Sequence, residues 1–217
     1  MKSSKFHSRC SRLQRGVGMI EVLVTFVIVS VGMLAIVGMQ ITGKQANYDA
    51  VQRTAASHLA MDMMERMRLN PTGLAGYATN TVLGGNTVAA PNPACAAVGS
   101  SCTPTQLAAA DLDDWEELLD GLAEWVDADS DDTVDAGERA TGGLVNPRAC
   151  VIGPAGGGTG LYRIFIVWRG SQEQATAALG GGVCGGGLDN TNLYGTVADA
   201  SSNDLRRIVR ISFFVVV

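Results

Sequence analysis

From Val22 to Met39 the chain reads VLVTFVIVSVGMLAIVGM, eighteen residues without a charge. As an α-helix this run measures about 27 Å, close to the hydrocarbon thickness of a bilayer, and Met19, Ile20 and Ile41 extend it. The first fifteen residues carry Lys2, Lys5, Arg9, Arg12 and Arg15 and no acid. Positive charges before an apolar span stay on the cytoplasmic side, which sends the C-terminal body outside. An ordinary secretory signal has a shorter apolar core followed by a small-x-small cleavage site. This run is longer, and no such site follows it directly.

Glu21 separates the remaining readings. An ionisable side chain costs roughly 2.5–3.5 kcal/mol at the bilayer centre and less near its surface, and a plain anchor has no use for one. A cut between Gly16 and Val17 frees an α-amine four residues before Glu21. The carboxylate can then pair with the amine of a neighbouring subunit as apolar helices stack. Such pairing offsets desolvation and fixes the axial register of one helix against the next. Glycine at the cut lets a protease approach the backbone closely.

The stretch RGVGMIEVLVTFVIVSVGMLAIVGMQ, Arg15 to Gln40, resembles the class III signal of type IV prepilins. The resemblance implies cleavage after Gly16 by a prepilin peptidase, N-methylation of Val17, and an assembly role for Glu21. Val17 departs from the Phe or Met usual at that place, and a cut after Gly18 would make Glu21 third rather than fifth. A finer resemblance is to the minor pilins of the type IV pilus modification protein PilV family. It rests on SVGMLAIVGMQ, on CTPTQLAAADLDDWEELLDGL from Cys102 to Leu122, on LYRIFIVWRG from Leu161 to Gly170, and on Arg206 and Arg207 before the last strand.

Beyond the apolar run, Tyr48, Val51, Ala55, Leu59, Met63 and Met67 recur at spacings of three or four, which predicts an amphipathic continuation of the helix. Asn70-Pro71 ends it, because a residue before proline avoids the helical region. The whole helix would run roughly 80 Å. Methionines 61, 63, 64 and 67 read as gap-filling core residues. Residues 72–104 read as an irregular connection with room for one short strand. Gln106 to Val126 repeats a helical pattern, with Leu107, Leu112, Trp115, Leu118, Leu119, Leu122 and Trp125 on one face. Strands are expected at Ala149–Ile152, Leu161–Arg169 and Leu205–Val217, the last alternating Val209, Ile211, Phe213 and Val215 on one face. The fold class is therefore α+β and pilin-like: a long N-terminal helix, transmembrane in its first half, packed against an antiparallel sheet head. The divisions are a leader at 1–16, a transmembrane and assembly half-helix at 17–41, an amphipathic half at 42–70, and an external head at 71–217.

Five cysteines are present. Cys10 lies in the leader, and Cys95, Cys102, Cys150 and Cys184 lie in the exported part, where disulfides form. Four cysteines allow three connectivities; the favoured one joins Cys95 to Cys102 and Cys150 to Cys184.

Asp127 to Glu138 reads DADSDDTVDAGE and is the best ligand site in the sequence. Asp127, Asp129, Asp131, Asp135 and Glu138 occupy positions one, three, five, nine and twelve of an EF-hand-like loop. Thr133 supplies the carbonyl of position seven, and Val134 the hydrophobic eighth. These hard oxygens suit Ca²⁺ at 10⁻⁴–10⁻³ M affinity, on the order of other extracellular modules. Asp132 replaces the usual turn glycine, and the competing reading is a solvated acidic loop. The tracts at 153–160 and 180–187 lack the Lys-Ser/Thr of a phosphate-binding loop and read as linkers.

Other chemistry has little support. Without the five leader cations, the chain's 16 basic residues fall to 11 against 21 acids, a net charge of −10. That balance excludes a phosphate-binding nucleic-acid module. His58 is the only histidine outside the leader and stands in no nucleophile motif, so no enzymatic activity is expected. The expected protein is a minor pilin held in a bacterial inner membrane, head in the periplasm, before it joins a pilus fibre at the cell surface. Its partners would be the prepilin peptidase, other pilin subunits and the assembly machinery. Two rivals share much of this pattern. A pseudopilin of a type II secretion system carries the same signal, whereas a single-pass anchored calcium-binding domain would retain residues 1–16 and tolerate Glu21→Val.

Overall fold

The computed structural model describes residues 16, 18–78, 81–85, 88, 95, 101–121, 142–173, 194 and 205–217. Helix α1 spans Met19–Leu69, followed by a 3-10 turn at Pro71–Gly73, the short α2 at Leu74–Tyr77, and α3 at Pro104–Asp120. Strands β1 (Arg148–Ile152), β2 (Gly160–Arg169) and β3 (Arg206–Val215) form an antiparallel sheet in the order β1-β2-β3. The chain divides into two compact units, Met1–Lys44 and Gln45–Val217. The fold class is α+β as expected: a long N-terminal helix, apolar in its first half, with a small antiparallel three-stranded sheet packed on its second half.

Helix α1 stops where the sequence says it must. Asn70 closes the last turn, its amide donating to the Arg66 carbonyl at 3.2 Å. The Asn70 side chain is buried and donates to the Pro104 carbonyl at 2.7 Å and to the Tyr77 hydroxyl at 3.3 Å. The Tyr77 hydroxyl in turn donates to the Asp111 carboxylate. Burial raises the Tyr77 phenol well above its ordinary range, and the Asp111 hydrogen bond adds to the rise. Arg66 crosses the same seam, donating to Asp62 at 2.9 Å, Asp111 at 3.2 Å and Asp114 at 3.4 Å. The end of α1, α2 and the start of α3 are thus tied by one polar network.

The face that α1 buries differs from the expected stripe. Gln52, Ala56, Ala60, Met63 and Met67 are buried, whereas Tyr48 and Val51 are 46% and 57% exposed. The large-residue pattern pointed to Tyr48 and Val51. The sheet instead packs over the alanines, whose small side chains let Ile164, Ile166 and Trp168 come close. Met63 and Met67 fill this core as expected. Gln52 is spent locally: its Nε2 donates to the Gly143 carbonyl at 3.2 Å, and its Oε1 accepts from the Val145 amide at 3.3 Å.

Helix α3 begins two residues earlier than its apolar pattern suggested. Thr103 and Gln106 form a capping box with Pro104 at the first turn, so two orphan N–H groups are satisfied reciprocally. It ends at Gly121, whose φ of 76° is left-handed and whose Cβ, if present, would meet the Gly142 carbonyl oxygen at 2.1 Å. Leu112, Trp115 and Leu119 are buried as expected, but Leu107 is 41% exposed. Leu122 and Trp125 lie outside the described residues. The Trp115 indole donates to the Leu59 carbonyl at 2.9 Å, locking α3 onto α1.

The register of the sheet places Ala149 opposite Ile166 and Ile164 opposite Ile211, on the face toward α1. Val209, Ile211, Phe213 and Val215 of β3 pack on this same core. On the other face, Cys150, Phe165, Val167 and Tyr194 form a second apolar cluster. Leu83 makes an isolated bridge with Ala149, a short β element among the described residues of the connection.

Glu116 is a buried carboxylate on α3, only 3% exposed. It accepts the Gly84 and Val88 amides at 2.6 Å each, so an acid holds the 83–88 backbone. Glu116→Ala leaves both donors without that acceptor, at roughly 1–3 kcal/mol for each buried N–H. Thermal unfolding of the full chain in detergent should show a marked drop for Glu116→Ala and a smaller one for Glu116→Gln, which keeps one amide oxygen. Unchanged melting for both would contradict this account.

Candidate processing and assembly segment

The first turn of α1 is built around Gly18, whose carbonyl accepts the Glu21 amide at 2.9 Å and the Val22 amide at 3.4 Å. Gly16 and Gly18 are both exposed, and Val17 lies outside the described residues. A Cβ built on Gly16 meets nothing within 4 Å. The fold therefore does not ask for glycine at 16, so any requirement for it is imposed from outside the chain.

Along Met19–Ile41 every residue is exposed except Ser30, which is half-buried. Phe26 is 72% exposed and Leu34 73%. This is the one helix among the described residues that is long and apolar enough to cross a membrane. The hydroxyls along it cost little in an apolar medium because each bonds back onto its own helix. Thr25 donates to the Val22 carbonyl at 2.9 Å, Ser30 to that of Phe26 at 2.7 Å, and Thr42 to that of Gly38 at 3.2 Å. Glu21 has no such outlet. It is the only charged residue between Gly16 and Lys44, it is exposed, and among the described residues it makes no ion pair.

Further along, Cys95 and Cys102 are joined by a disulfide, Cα atoms 5.9 Å apart. The bond sits immediately before the Thr103 cap and pins the entry of α3. Cys150 is also disulfide-bonded and is buried on the outer face of β1. Cys184 lies outside the described residues. So do Asp127, Asp129, Asp131, Thr133, Asp135 and Glu138 of the acidic loop. His58 is exposed on α1.

Comparison with known families adds two matches. Residues 11–37 match the prokaryotic N-terminal methylation motif, and residues 38–113 match the family model described as type IV pilin Tt1218. The two matches lie end to end and are to type IV pilin sequences in the first half of the chain. No curated protein and no solved structure gave a match. The methylation match covers Gly16, Val17 and Glu21 together, and the pilin match runs from α1 through the capping box into α3. Type IV pilins are structural subunits, and a prepilin signal followed by an apolar helix implies membrane anchoring, a prepilin peptidase and other pilus components as partners.

What sequence reasoning missed lies in the head. Buried Glu116 stands in a run of acids that reads as a solvated face, and only the 83–88 backbone reveals its role. The capping box was open to reading, since Thr103-Pro104-Thr105-Gln106 fits the Ser/Thr-x-x-Glu/Gln pattern.

Because no described residue packs against position 16, Gly16→Ala should leave thermal unfolding of the full chain unchanged while sharply slowing removal of the leader in cells. A band shift assay against the parent chain reads the second effect. A folding defect, or cleavage at the parent's rate, would contradict the external role of this glycine.

Proposed function

We propose that this chain is a minor pilin, cut after Gly16 and methylated on Val17, that enters type IV pili through its apolar helix. The observation that carries the reading is the lone Glu21 carboxylate on an uncovered apolar helix that matches the methylation motif. In the proposed sequence of events the subunit waits in the inner membrane as a single-pass protein with residues 71–217 in the periplasm. Extraction into a fibre exchanges lipid contacts for neighbouring helices. Glu21 then meets the Val17 amine of an adjacent subunit, and the pair sets the register. The resemblance to PilV-type minor pilins supports roles in pilus biogenesis, adhesion or twitching motility.

Two measurements test this. Mass spectrometry of the membrane-extracted chain should find N-methylated Val17 as the first residue; a chain beginning at Met1 would overturn processing. Glu21→Val should still insert in the membrane but fall at least about tenfold in sheared pilus fibres, the equivalent of about 1.4 kcal/mol. Recovery of Glu21→Val in fibres at the parent's level would refute the assembly role. Co-purification with a secretion apparatus rather than with pili would favour a pseudopilin.

The Asp127–Glu138 loop is part of the same proposal as a Ca²⁺ site, on the spacing of its carboxylates. Ca²⁺ at ten times its dissociation constant adds about 1.4 kcal/mol to folding stability. The full chain should therefore melt higher in millimolar Ca²⁺ than in chelator, and Asp127→Asn/Asp131→Asn should abolish the difference. No shift in the parent chain would retire calcium.

A further inference from the structure

The three strands hold six arginines and no acid: Arg148 on β1, Arg163 and Arg169 on β2, and Arg206, Arg207 and Arg210 on β3. In a chain with 21 acids and 16 bases this is a local inversion of charge. Strand alternation sorts the six. Arg207 lies on the α1 side, where it faces Asp49 at 3.7 Å. The other five share the outer face of the sheet with Cys150, Phe165 and Val167.

That face has two ends of different character. At one, Tyr194 packs with Cys150, Phe165 and Val167, and its hydroxyl donates to the Asn146 carbonyl at 3.1 Å. Arg148, Arg169 and Arg206 are half-buried and engaged. The other end is exposed. Leu161 and Phe214 stand directly opposite one another at 45% and 63% exposure, and Val216 beyond them is 74% exposed. Next along the strands come Arg163, opposite Ser212, and Arg210, opposite Phe165. Both arginines are exposed, and neither makes an ion pair among the described residues. They are diagonal neighbours across the β2–β3 pair, about 7–8 Å apart for such positions. Two like charges at that distance repel, and an anion between them removes the repulsion.

The mixture of side chains selects the ligand class. A soluble anion would engage the two guanidinium groups and leave Leu161, Phe214 and Val216 in water. A bilayer of anionic lipid offers both chemistries together, phosphates for arginine and the acyl boundary for exposed hydrocarbon. At physiological ionic strength fields fade over about 8 Å, so acids elsewhere on the head do not cancel this patch.

We infer that the Leu161–Arg163–Arg210–Phe214 end of the outer sheet face docks on an anionic phospholipid surface. Arg163 and Arg210 donate to headgroup phosphates, while Phe214, Leu161 and Val216 enter the headgroup boundary. The contact needs neither Glu21 nor a cut after Gly16, so its failure leaves the proposed helix assembly standing.

Contact at position 214 can be read directly. Full chain carrying Phe214→Trp, held in phosphatidylcholine nanodiscs, is mixed with vesicles of brominated phosphatidylglycerol. Its fluorescence quenching is measured in excess over the parent chain, which carries the native tryptophans alone. Only bromine near position 214 adds to that excess, so vesicle binding by the basic leader does not mimic it. The excess should be at least about threefold weaker with brominated phosphatidylcholine, and lost in about 0.5 M salt, where the Debye length is only about 4 Å. Each arginine is worth about fivefold in binding to an anionic surface. Arg163→Gln/Arg210→Gln in the same background should therefore weaken vesicle binding at least about tenfold. Arg163→Lys/Arg210→Lys keeps both charges and should quench as before, which separates lost charge from lost fold. No excess quenching by phosphatidylglycerol, equal quenching by the two lipids, or indifference to Arg163→Gln/Arg210→Gln would each overturn the docking. So would capture of Phe214→Ser by dextran sulfate at the parent's strength with no quenching by vesicles, which would assign the face to a soluble polyanion.

Discussion

A single carboxylate on a bare apolar rod is the constraint on which the proposed assembly depends. Glu21 sits in the first turn of a helix whose next twenty residues expose almost nothing but hydrocarbon. Lipid can cover the hydrocarbon, and the hydroxyls along it are satisfied by their own backbone. Neither lipid nor backbone satisfies an acid. On the proposed reading a cation brought to the same depth does, and a cut after Gly16 would create one, an α-amine four residues earlier. The head forms a compact unit of its own, Gln45–Val217, and its stability must come from contacts within it.

The head meets that demand by burying the second half of α1 against both the sheet and α3. Alanines at 56 and 60 let the sheet approach, methionines at 63 and 67 fill what remains, and Trp115 joins α3 to the α1 backbone. Polar groups do the fastening. Arg66, Asn70, Tyr77 and Asp111 close the top of the helix, Gln52 holds the segment entering β1, and Glu116 captures the loop that reaches across from α2. Buried polar groups of this kind specify one arrangement because each loses its partner in any other. The disulfide at Cys95–Cys102 adds a covalent stop just before the α3 cap.

Elements set by local pattern were legible in the sequence. The apolar run, the Asn70-Pro71 break, the three strands within a residue or two and the Cys95–Cys102 bond could all be read from it. The alternation of Val209, Ile211, Phe213 and Val215 named the buried face of β3 correctly. Features set by tertiary choice were not. The α1 stripe was misread at Tyr48 and Val51 because periodicity ranks faces by apolar bulk, while packing against a sheet rewards small side chains. The role of Glu116 could not be seen for a related reason. It depends on backbone donors 28 and 32 residues away. Of the processing segment, the methylation motif was legible because it depends on spacing alone, and residues 11–37 match it.

The most direct test of the central claim is zero-length carbodiimide coupling on intact fibres, followed by peptide mass mapping. The account predicts an amide between the Glu21 carboxylate of one subunit and the amine of the first residue of another, lost when the fibre is dissociated before coupling. Should Glu21 instead couple only to Lys44, or to nothing, while the subunit remains in the fibre, the acid is not paired as described and the assembly mechanism fails.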